Sequence, residues 1–106
     1  MVKVVLEHRT KSREHTKTLV KLIKKIRSQA REQHGFITGE TLVDTEDPCH
    51  VIVISTWQNP DDWKAWDVSS VRAETKPQIE ELLVEPFNAV VLPVPVVWRE
   101  DMVNVF

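Results

Sequence analysis

The sequence predicts an α+β domain in the order β-α-β-β-α-β, with four antiparallel strands and its helices on one face. Three observations predict it. Four segments rich in β-branched residues are spread along the chain; one segment carries apolar residues at helical spacing; and an Asn-Pro-Asp-Asp helix start separates the third strand from the fourth.

Val2 to Arg9 reads as the first strand. A helix follows from about Ser12 or Arg13 to Gln33, with Leu19, Leu22, Ile23, Ile26 and Ala30 within one arc and Arg13, Lys17, Lys21, Lys24 and Arg31 opposite. His34-Gly35 supplies the stop, the glycine suiting a left-handed cap. Phe36 to Val43 is the second strand, ended by a polar turn from Asp44 to Pro48. His50 to Trp57 is the third. Asn59 then offers a cap, Pro60 the first helical position, and Asp61 and Asp62 complement the positive end of the dipole. This short helix carries Trp63 and Trp66 one turn apart. A break near Ser69-Ser70 leads to a second helical piece, then Pro77 and the run Ile79 to Leu83. Phe87 to Leu92 is the fourth strand, so the domain is expected over residues 1–92. The apolar tail, residues 93–106, is expected to pack on its own or a partner subunit. The order is the split βαβ, ferredoxin-like pattern.

Length and composition bound the function. At 106 residues and 42% apolar content the chain is one domain. Two glycines leave no phosphate loop or dinucleotide fingerprint, and no apolar run approaches the roughly 18 residues of a membrane span. The first residues lack a signal peptide's apolar stretch, and the single cysteine excludes an internal disulfide framework, so a cytoplasmic location is expected. The net charge of −2 conceals an asymmetry: residues 1–35 hold ten Lys/Arg against three Glu, a local +7 that leaves −9 for the remainder. Without interleaved aromatics this basic helix reads as a solvated outer face, with no nucleic-acid or membrane partner expected.

The strands are apolar on both sides: Val51 and Val53 alternate with Ile52 and Ile54, and Val4-Val5-Leu6 and Val90-Val91-Leu92 repeat the pattern. Helices cover only one face of such a sheet, so a homodimer with sheets packed face to face is expected, the tail being the rival cover.

A chain of this order with Trp57-Gln-Asn-Pro-Asp-Asp-Trp63-Lys-Ala-Trp66 after the third strand resembles the antibiotic biosynthesis monooxygenase family. His34-Gly35-Phe36 and Leu83-Val84-Glu85-Pro86-Phe87 fit its pattern too. The resemblance implies a dimeric α+β barrel and either cofactor-independent quinone-forming or haem-degrading chemistry. In the haem-degrading branch the strand asparagine falls on His8 and the helix tryptophan on Trp66. The ligand histidine falls on or near Lys76, where no histidine stands, so haem degradation is disfavoured and no cofactor is expected.

His8 shares a strand face with Val2, Val4 and Leu6, at the end of an expected apolar cavity. A neutral imidazole titrating near neutrality would suit proton removal from a phenol or hydroquinone, whose anion reacts directly with dioxygen. The bland alternative is a strand-end histidine with a satisfied ring. Trp66 and Trp63 offer a flat wall for a small aromatic molecule or, equally, core packing; Trp57 reads as packing. Arg72 and Lys76 would hold an anionic group at a pocket mouth, or else lie solvated. Cys49 and His50 point to opposite faces and cannot share a proton, and the four histidines show no ligand spacing, so no metal is expected. The leading expectation is a small monooxygenase with catalytic His8 and Trp66 and substrate-binding Trp63, Arg72 and Lys76. The second is a non-catalytic dimeric barrel that binds an apolar ligand or serves as a structural or regulatory module. Haem binding with a different ligand set is third.

Overall fold

The computed structural model describes residues 1–94. Its elements are β1 (Val2–Arg9), α1 (Arg13–Ala30), β2 (Phe36–Val43), β3 (His50–Trp57), α2 (Pro60–Asp67), α3 (Ser70–Glu80) and β4 (Asn88–Pro93), with sheet order β2-β3-β1-β4 and every pairing antiparallel. This is the expected ferredoxin-like α+β fold. The expected packing of the tail concerns residues that, beyond Val94, lie outside the described ones.

Helix α1 starts at Ser12, whose hydroxyl accepts from the His15 backbone N–H at 3.2 Å. It buries Thr16, Leu19, Ile23, Ile26 and Ala30 and leaves Lys17, Lys21 and Lys24 in water, which is the expected division. It ends at Ala30 rather than Gln33, because the chain tightens there into i→i+3 bonds (Glu32 N–H to Gln29, 3.2 Å; Gln33 N–H to Ala30, 3.0 Å). Gly35 therefore caps no helix. Its φ of +82° turns the chain into β2 instead.

Asn59 sits at the start of α2, yet its side chain donates to the Asp62 carboxylate at 3.4 Å and caps no backbone N–H. The break at Ser69-Ser70 begins α3, which Ser69 caps through the Arg72 N–H at 3.4 Å. Helix α3 runs through Pro77. The bond that proline forfeits would end on Ala73, and both residues are exposed, so that carbonyl is open to solvent.

The core lies between the helices and one sheet face: Val2, Val4, Leu6, Val51 and Trp57 from the sheet, Leu19, Ile23 and Ile26 from α1, Trp63 and Trp66 from α2, Ile79 from α3. In β1 the burial alternates strictly, with Val2, Val4, Leu6 and His8 inward. The opposite face carries Val5, Ile52 and Ile54, half-buried, beside exposed Leu42, Val90 and Leu92.

Candidate active site

Strand alternation places His8 on the helix-facing side at the last inward position of β1, paired with Val51. Its ring is 1% exposed. Nδ1 lies 3.3 Å from the Val51 carbonyl. A carbonyl only accepts, so Nδ1 carries the proton and Nε2 is left as an acceptor in the neutral ring. Phe87, just ahead of β4, packs on the imidazole with centroids 5.0 Å apart. Two backbone bonds hold the α3–β4 connection against the end of β1: Lys11 N–H to Leu82 at 3.0 Å and Val84 N–H to Arg9 at 2.9 Å. Burial pushes the imidazole pKa down to about 4, the Val51 bond opposes this, and the Arg72 charge lowers it further. The expected base near neutrality is thus corrected: His8 is neutral at pH 7 and weakly basic, because burial in apolar surroundings disfavours its cation.

His8 lines a cavity of about 60 Å³ between the helices and the sheet. Trp57, Trp63, Trp66, Phe36, Leu6, Ile23, Ile26 and Ile79 supply most of its wall. Trp57 is locked by its indole N–H donating to the Ser55 hydroxyl at 2.9 Å and by edge contacts to Phe36 (5.3 Å) and Trp63 (6.0 Å). Trp63 and Trp66, 6% and 4% exposed, are core and wall at once. Arg27 and Gly39 border the half-buried side. A Cβ on Gly39 would stand 2.8 Å from the Arg27 Nε, so the glycine makes room for that guanidinium, which donates to the Thr41 hydroxyl.

Arg72 also lines the cavity, not as a mouth residue but 3% exposed. Its Nε and Nη2 are enclosed and have no hydrogen-bond partner. The guanidinium lies 5.7 Å from the Phe87 centroid and 4.0 Å from an Asp67 oxygen. Lys76 is not at the cavity. Its ammonium takes Asp67 at 2.8 Å and the Asp67 carbonyl at 3.0 Å, tying α3 to the end of α2. The expected anion-holding role for Lys76 is corrected on that ground, since Asp67 already occupies it. The structure therefore brings His8, Trp63, Trp66 and Arg72 together and leaves Lys76 out.

Sequence reasoning passed over Trp57 and Phe36 as walls. Their signal was available: both end strands at neighbouring register positions, Phe36 opposite Trp57. Arg72 had one too, since it stands seven residues before Ile79 and shares its buried helix face.

The sequence profile described as antibiotic biosynthesis monooxygenase matches residues 1–78. The chain belongs to the antibiotic biosynthesis monooxygenase family. Solved structures carry the same fold at low identity. SnoaB from Streptomyces nogalater, described as a cofactor-independent oxygenase, superposes with a TM-score of 0.80 at 11% identity, covering 93% of this chain and 97% of that one. The ActVA-Orf6 monooxygenase of Streptomyces coelicolor, solved with nanaomycin D, gives 0.76 at 19% identity, covering 93% and 92%. A conserved protein from Methanosarcina mazei gives 0.81 at 16% identity, covering 89% and 92%. No curated protein matches the sequence. Among the described residues no helix of this antibiotic biosynthesis monooxygenase family member is long and apolar enough to cross a membrane, and no three His, Cys, Asp or Glu side chains cluster to hold a metal.

Proposed function

We propose that the chain is a cofactor-independent monooxygenase that oxidises a small phenolic or quinol substrate in the cavity between its helices and sheet, working as a homodimer. The observation that carries this reading is the convergence of His8, Trp63, Trp66 and Arg72 on one aromatic-walled cavity in a member of this family. Two structures of like fold, SnoaB and ActVA-Orf6, are described as an oxygenase and a monooxygenase.

In this scheme Nε2 of neutral His8 accepts the hydroxyl hydrogen bond of the substrate, and the tryptophans clamp the ring. The electron-rich ring then reduces dioxygen: one oxygen atom enters the product as a carbonyl, and the other leaves as water with the two displaced hydrogens. His8 cannot simply keep the proton. Moving it from a phenol of pKa about 10 to an imidazole of about 4 is uphill by about 8 kcal/mol. The anion needs a second stabilising group.

The cavity, about 60 Å³, is smaller than the roughly 150 Å³ that accommodates a benzene. Ring binding therefore requires the tryptophan wall or the Phe36–Arg27 side to move. This tightness favours the second reading, a non-catalytic dimeric barrel. Incubation with 1-naphthol under ¹⁸O₂ separates the two. Turnover gives 1,4-naphthoquinone with one ¹⁸O and labelled water, in the presence of chelator and without flavin. His8→Ala then lowers the rate about 100-fold. No labelled quinone from 1-naphthol or from a panel of naphthalenediols, above a heat-denatured control, overturns the enzyme reading.

A further inference from the structure

We infer that Arg72 forms an oxyanion subsite at the His8 end of the cavity, so that the ligand is a flat aromatic carrying an ionised oxygen rather than a neutral ring. This rests on the cavity being a ligand site, as in the reading above, but not on turnover.

A guanidinium offers five donors in a fixed plane and stays charged at every accessible pH. Burying one without partners is among the costlier arrangements a fold retains. Here Nε and Nη2, adjacent donors on the same side of the fork, have no acceptor within reach. Asp67 does not supply one. Its nearest oxygen is 4.0 Å from Nη2, and that same oxygen is held at 2.8 Å by Lys76. The Phe87 ring presents only a face to the guanidinium at 5.7 Å. Arg72 also stands in the first turn of α3, which carries no acidic residue, so the positive end of the helix adds to its field.

The other polar group at this end, His8, is neutral and brings no counter-charge. What the pocket lacks is a pair of acceptor lone pairs bearing negative charge, beside an aromatic wall. A phenolate or a carboxylate on an aromatic ring supplies both, and the paired donors suit either oxygen anion. The charge of such a ligand would also favour protonation of His8, whose Nε2–H would then donate to the anion.

Equilibrium binding of 4-nitrophenol, benzoate and nitrobenzene tests this, with the ionisation of bound 4-nitrophenol read from its yellow colour. The native chain is expected to bind the two anions at least tenfold more tightly than nitrobenzene and to lower the pKa of bound 4-nitrophenol. Arg72→Met abolishes both effects while nitrobenzene affinity stays within twofold. Benzoate binding without 4-nitrophenolate binding would assign the subsite to carboxylates; the reverse would assign it to phenolates. Arg72→Met is expected to keep or raise the melting temperature, because it removes two enclosed donors that have no acceptor; a large drop would make Arg72 a structural partner of Asp67 and overturn the inference. Equal affinity for neutral and anionic probes, or binding of neither anion, leaves water on those donors and also overturns it. If label incorporation fails while Arg72-dependent anion binding holds, the turnover reading falls and the subsite stands.

Discussion

His8 lies between the Val51 carbonyl and the Phe87 ring, and its charge state follows from that enclosure. Its folded-state pKa, about 4 against 6.5, means the unfolded chain binds more protons between those values. Stability is therefore whole above pH 6.5, falls as the pH drops through this window, and is fully reduced below 4 by roughly 3 kcal/mol. His50 shifts the other way. Bonds to the Asp44 and Glu7 carboxylates, each 3.1 Å, hold its pKa above the ordinary value, so its contribution is present below 6.5 and fades as pH rises through the raised pKa. Histidine ring NMR is expected to show one imidazole still neutral at pH 5, protonated on Nδ1, and another charged above pH 6.5. Urea titrations at pH 7.5 and pH 5 should show the acid loss in the native chain and not in His8→Asn. The inward position of His8 was legible from its place in a run of alternating residues. Its weak basicity was not, because the burying ring, Phe87, lies 79 residues away and reaches it only through the α3–β4 connection.

The joint between α1 and β2 depends on Gly35. Its positive φ is a conformation other residues adopt at a cost of roughly 1–2 kcal/mol, and a Cβ there would run into the Asp62 carboxylate of α2. Gly35 also fixes α2 through its carbonyl, which accepts the Gln58 N–H at 2.8 Å. Gly35→Ala is therefore expected to destabilise by about 2–3 kcal/mol in urea unfolding, strain plus displacement of Asp62, whereas Gly39→Ala disturbs only the flexible Arg27 side chain. An equal, small effect at both glycines would contradict this. The elements themselves were largely legible: strong periodicity marked α1, and strand bounds for β1, β2 and β3 agree with the chemistry read from residues alone. What escaped were matters of partnership. Asn59 looked like a cap but found Asp62, and Lys76 looked free but found Asp67, because short-range acceptors compete with the roles that local sequence suggests.

At the scale of the molecule, the sheet face turned away from the helices needs a cover. Val5, Ile52 and Ile54 form a half-buried band flanked by Leu42, Val90 and Leu92, which are 46%, 50% and 49% exposed. The register brings Val90 beside Val5 and Val5 beside Ile54, so the apolar residues are contiguous across three strands. Edge strand β4 is exposed along its whole length, Asn88 to Pro93. A two-fold copy would bury this band against itself, and a stable pair needs about 1,200–2,000 Å² in total. The aromatic cavity lies on the opposite face, so association and ligand binding are separable by mutation. Val90→Lys places a charge on the band at an exposed edge position, where it hardly disturbs an isolated chain. The native chain is expected to run as a dimer in light scattering at micromolar concentration. Val90→Lys is expected to run as a monomer with an unchanged far-ultraviolet spectrum and retained Arg72-dependent anion binding. A native monomer would mean that this face is covered from within the chain, and the proposed assembly would fall while the cavity chemistry stood on its own.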